Sequence, residues 1–135
     1  MRTVPVVFAA VAFFLSVPME AAEPEFYLGV NVNGGPVRID GRPWQGDGAP
    51  QFNCDDRPVV ADALELLPAT DAERTQMLRS FRWSRTAHLQ VTDVPDGTYS
   101  IWLYLLEDTQ SQRFDVFIES LPADRKSTRL NSSHT

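Results

Sequence analysis

Three rings and three polar side chains are the parts of this chain suited to recognition chemistry. Phe52 and Trp83 stand among Gly, Pro, Asp, Asn and Arg, and Trp44 ends a short hairpin. Glu107, Asp108 and Gln110 follow an apolar run within four residues. That mixture suits a saccharide. A flat ring covers the C–H face of a pyranose, while a carboxylate or amide takes the hydroxyls, and an amide both donates and accepts. A ring on an exposed loop gains nothing from its position unless a partner covers it. Each ring also has a plainer reading as a plug under a loop, foremost Trp44. Trp102 lies in a strand apolar on both faces and reads as core. Glu107 and Asp108 have a plainer reading too, as a strand cap or an ion pair with Arg82 or Arg113, worth little at a surface.

Other chemistries find little support. The histidines are His88 and His134, and no G-x-S-x-G motif exists. Two carboxylates serve glycoside hydrolysis only in a full substrate cleft, so no catalytic activity is expected. Asp47, Asp55 and Asp56 make an oxygen-rich loop, but their spacing fits no EF-hand and Arg57 is a nearer partner. No metal or cofactor is expected. Cys54 is the sole cysteine. It has no partner for a disulfide within the chain, so it reads as a small buried apolar group or as a thiol whose partner lies outside this chain, the first being the plainer reading.

The elements that must position these residues are mostly strands. FYLGVNVNGG alternates with period two and breaks at Gly34-Gly35. VRIDGRPW reads as a hairpin, because Asp40-Gly41 suits a turn with positive φ at both central residues. Residues 45–58 read as loop. VVADALELL fits either a strand or a short helix. TDAERTQMLRSF predicts the one helix, with Thr70 and Glu73 as a capping box and Met77, Leu78 and Phe81 on one face. HLQVTDV turns Leu89 and Val91 inward. TYSIWLYLLE is apolar on both faces and predicts a central strand covered on both sides. FDVFIES alternates again. Many strands, frequent turns and one short helix indicate an all-β, jelly-roll-like β-sandwich.

Both ends of the chain read as additions to this domain. Residues 1–22 hold one cation, Arg2, and an apolar run from Val4 to Val17. That is the pattern of a signal peptide with cleavage near Ala22, which places the protein outside the cytoplasm, secreted or periplasmic. No apolar stretch after it has the length of a membrane span. At the other end, DRKSTRLNSSH resembles one reading frame of a sequencing-adapter oligonucleotide, so residues 124–135 are expected to be a non-native tail. Lys126, the only lysine, falls there. The domain proper, residues 23–123, carries sixteen Asp and Glu against eight Arg, a net charge of −8. Such a surface disfavours nucleic acid and anionic membranes.

NVNGGPVRIDG (31–41), VPDGTYSIWLYLLE (94–107) and QRFDVFIES (112–120) resemble, in order and spacing, segments of the malectin family of carbohydrate-binding domains. The resemblance covers most of residues 26–120. It implies a non-catalytic, lectin-like jelly roll that binds a neutral oligosaccharide or other glycan through loop aromatics and polar residues. The residues it nominates here are Phe52, Trp83, Glu107, Asp108 and Gln110. It further implies a partial domain whose closing strands are missing, and neighbouring domains of the same parent protein as partners. Two features depart from the family: no ring follows Glu107, and the tail stands where closing strands belong. A sandwich that serves structure or protein interaction, without sugar binding, is the alternative.

Overall fold

A computed structural model describes residues 6–16, 23–106, 115–118 and 121–122. These residues are all-β and sandwich-like, with one short helix among them. Its strands are β1 (Val6–Ser16), β2 (Glu25–Asn31), β3 (Val37–Ile39), β4 (Arg42–Gly46), β5 (Phe52–Asn53) and β6 (Arg57–Val60). After the helix α1 (Ala72–Arg79) come β7 (Ser80–Ser84), β8 (Gln90–Val91), β9 (Thr98–Leu105), β10 (Phe117–Ile118) and β11 (Leu121–Pro122).

The main sheet is organised around β1. One edge of β1 pairs with β9, from Phe8–Leu105 to Ser16–Thr98, antiparallel. The other edge pairs with two strands laid end to end. β2 takes Ala10 to Leu15 and β7 takes Val6 to Phe8, both antiparallel. β6 continues the sheet beyond β7. β4 joins β2 in parallel at Val30 and Asn31, and carries β3 on its far side. Val6–Ser16, which the sequence reads as part of an export signal, is placed in this structure as the strand between β2 and β9. A secretory apolar run and a strand buried on both faces share one signature, a short continuous apolar stretch, so composition does not separate them.

Both faces of β1 are covered. On one face Ala10 and Ala12 lie beneath Ile39, Trp44 and Met77. The β3–β4 hairpin and α1 supply this cover. On the other face Val11 packs with Leu28, Val30, Ala49, Phe52 and Cys54, and Leu89, Val91 and Leu103 close over it. The loop from Ala49 to Cys54 supplies that cover, fastened by the short β5–β8 pair in which Phe52 faces Val91.

Trp44 explains the small residues of the first face. Its ring is 4% exposed, stacks on Phe26 at 6.2 Å and meets Tyr104 edge-on at 5.6 Å. A side chain at Gly29 has no room: a Cβ there would sit 2.4 Å from Trp44 Cδ2. The hairpin that delivers Trp44 turns at Asp40 and Gly41, with φ of 50° and 73°, as the Asp-Gly pair predicts. Arg74 fastens that turn to the helix by pairing with both Asp40 and Asp71.

The helix differs from its sequence reading in two details. Asp71, not Thr70, is the N-cap, and its carboxylate accepts from the N–H of Arg74 at 2.7 Å. The helix also ends at Arg79, so Phe81 is buried from a strand rather than from the helix face. β9 differs more. Among the described residues it pairs only with β1, and Ile101 and Trp102 remain 36% and 46% exposed. The expectation of a central, doubly covered strand with Trp102 in the core is corrected. Apolar residues on both faces show that β9 favours burial; they do not fix how many neighbours it has.

Gly29→Ala should destabilise the protein by about 1–3 kcal/mol, because the ring of Trp44 is held on both sides and cannot yield. Gly35→Ala meets nothing within 4 Å and should fall within about 0.5 kcal/mol of the parent. Denaturant unfolding of the two variants checks both figures.

Candidate functional site

The residues nominated by the sequence do not gather. Phe52 is 7% exposed and belongs to the core beneath β1, so its role as a loop platform is corrected. Loop composition around it is polar, but a pairing with β8, thirty-nine residues away, draws its ring inward. Trp83 is 37% exposed on β7, opposite Arg57 of β6. Glu107, Asp108 and Gln110 lie outside the described residues. Trp44 is core, as its plainer reading held.

The loop carboxylates are engaged in structure. Asp47 pairs with Arg82, the side chains being 23% and 17% exposed. It also accepts from the backbone N–H of Asn33 at 2.7 Å. Burial pushes its carboxyl up, but the hydrogen bonds from Arg82 and Asn33, with the charge of Arg82, outweigh that and hold it below 3.8. Arg82 also donates to the carbonyl of Asp56 at 2.6 Å. Asp56 in turn accepts from the N–H of His88 at 3.2 Å and faces Cys54 Sγ at 3.6 Å. Burial pushes the Cys54 thiol up, so it rests protonated. Among the described residues no three of His, Cys, Asp or Glu converge as a metal site would require.

A recess forms where the turn after β2 meets α1 and the β6–β7 pair. Asn33, at φ 61°, is the pivot. Its side chain donates to Val59 at 3.0 Å, and its carbonyl accepts from Ser80 Oγ. Asp47 N–H donates to Gly34 at 2.9 Å. These bonds hold Gly34 and Gly35 as one rim. Thr75, Gln76 and Arg79, spaced on one side of α1, form the facing wall. Asp62 and Ser80 complete it, and the recess, open to solvent on one side, measures about 560 Å³. Arg79 is steadied by donating from Nε to Leu64 O at 2.9 Å.

Asn31 sits at the base, 3% exposed. Its amide donates to Gly35 O at 2.8 Å, while its Oδ1 is sealed and accepts nothing. A buried acceptor left unpaired costs about 1–3 kcal/mol. The site escaped the sequence because its parts come from residues 31–35, 60–62 and 72–80, none unusual alone. The sole signal was the Asn-x-Asn-Gly-Gly run itself.

Trp83 is not part of this recess. Alternation along β7 puts it on the opposite face from Ser80 and Arg82. The chain therefore offers a polar cavity and a separate half-open ring. Compared with family models, with curated proteins and with solved structures, the chain matches none.

Asp47→Asn should cost roughly 3 kcal/mol at pH 7, since it strands Arg82 without a counter-charge. The carboxyl of Asp47 lies lower in the folded than in the unfolded state. Its stabilisation is therefore complete above about pH 4 and is lost as pH falls through its lowered value. The difference between parent and variant should shrink from pH 5 to pH 2, as measured by thermal unfolding at each pH.

Proposed function

We propose that the chain is a non-catalytic carbohydrate-binding module of an exported protein, secreted or periplasmic, and that the recess between α1 and the Gly34-Gly35 turn takes a neutral oligosaccharide. The observation that carries this reading is the chemistry of the walls. Hydroxyls, an amide, a carboxylate and a guanidinium face a cavity of about 560 Å³. Such a set meets vicinal hydroxyls, each of which donates and accepts. Asp62 and Arg79 balance in charge, which suits a neutral ligand over an anionic one. The resemblance to malectin domains points the same way, with the binding surface moved from the nominated rings to this recess.

Affinity should be modest, because a polar recess without a ring must offset the desolvation of every hydroxyl it takes. Attachment to neighbouring domains of the parent protein would raise avidity without new contacts. A protein-interaction module is the second reading. The open side of β9, with Ile101 and Trp102 exposed, favours it.

Calorimetric titration of the full chain with a panel of neutral oligosaccharides tests the proposal. At least one should give saturable heat. Gln76→Ala and Asp62→Asn, both on exposed positions, should each weaken binding about tenfold or more with unchanged melting temperature. No heat from any glycan while the protein is folded removes the carbohydrate reading. Binding indifferent to both variants moves the site elsewhere, and Trp83→Ala then becomes the variant to measure.

A further inference from the structure

We propose that the recess between α1 and the Gly34-Gly35 turn selects a sugar that bears an acetamido group, an N-acetylhexosamine unit of a neutral glycan. The inference rests on the carbohydrate reading and narrows it to one class of sugar.

A plain hexose and its acetamido counterpart ask different things of a wall. Each hydroxyl donates and accepts, so almost any polar residue meets it. An acetamido group is more exacting. Its N–H only donates, its carbonyl only accepts, and its methyl gains from apolar cover. A site for it needs an acceptor, a donor and an apolar spot in one place.

The recess holds all three. Asp62 supplies a carboxylate, which only accepts, and Arg79 a guanidinium, which only donates. The ion pairs among the described residues are Arg74 with Asp40 and Asp71, and Arg82 with Asp47. Asp62 and Arg79 thus line one recess without being spent on each other. Arg79 is also held in place, because its Nε donates to Leu64 O at 2.9 Å. That bond sets the plane of the guanidinium and leaves its terminal N–H groups for a carbonyl.

The apolar spot is Val60, with Ala72 at the start of α1. Val60 is 62% exposed. An exposed valine alone is ordinary. This one shares its recess with a separate acceptor and donor, which is the third thing an acetamido group requires. Its position is fixed by the β6–β7 ladder, where it stands directly opposite Ser80. Directly opposed residues lie on one face of a sheet, and both line the recess. Ser80 is committed elsewhere, its hydroxyl donating to Asn33 O. Asn31 shapes the base instead of meeting the sugar. Its amide N–H goes to Gly35 O, its Oδ1 is sealed, and a Cβ on Gly34 would sit 2.2 Å from its Nδ2.

The test compares sugars that differ only at the second ring carbon. The trimer of N-acetylglucosamine is set against the trimer of glucose in the same linkage, and N-acetylgalactosamine against galactose. The full chain is titrated by calorimetry and by saturation-transfer NMR. In at least one pair the acetamido sugar should bind about tenfold more tightly, the gain from one covered methyl and one added hydrogen bond. Its acetyl methyl should carry the strongest saturation. Val60→Ser should cut that preference about threefold, since it removes the apolar cover, with the melting temperature unchanged at so exposed a position. Equal affinity within both pairs overturns the acetamido assignment and leaves the carbohydrate reading standing, as does binding confined to glycans without the group. A preference that Val60→Ser keeps in full overturns the assignment too, because the methyl would then have another neighbour. Absence of binding by every glycan, with the protein folded, overturns both readings.

Discussion

The structure depends on one strand being buried on both faces and bonded along both edges. β1 is paired to β9 on one side and to β2 and β7 on the other. Those ladders satisfy its backbone, and the two hydrophobic clusters lie against its opposite faces. Every other element is arranged by this. The β3–β4 hairpin and α1 must cover one face, and the loop from Ala49 to Cys54 must cover the other. Small residues appear where a large ring descends, and bulky ones where only a loop arrives.

A second, polar constraint fixes what lies beyond the sheet. Asp47 and Arg82 are partly buried and satisfied by each other. Through Asn33 and the carbonyl of Asp56 they tie the turn after β2 to the loop before β6. Asn33 extends the tie to Val59 and Ser80. The apolar clusters settle which layers touch, and this network settles how the loops at one end are set. A recess with several polar walls needs such a network, because unsupported loops would not hold donors and acceptors in place.

Local chemistry was legible in the sequence where it is decided locally. Asp40-Gly41 turns as a hairpin because few other pairs accept positive φ twice. The helix was found and misplaced by one residue at its cap, since Thr70 and Asp71 are both good N-caps and only the bond to Arg74 distinguishes them. What failed depended on distant partners. Phe52 is drawn inward by Val91, and Trp102 stays open because β9 has one neighbour among the described residues. Val6–Ser16 has the composition of both a leader and a doubly buried strand. The recess was least legible, because ordinary residues from three separated stretches become a site only after folding.

The recess and β1 are joined through β2. Asn31, at the base of the recess, is the residue of β2 that pairs with Ala10 of β1. The end of β2 that carries the Gly34-Gly35 rim is thus held by the ladder to β1 on one edge and by two residues of β4 on the other. Loss of β1 would leave that rim on the weaker of its two supports. The order of the rim therefore rests on the ladder between β1 and β2, which ends at Asn31 and Ala10, next to the Gly34-Gly35 turn.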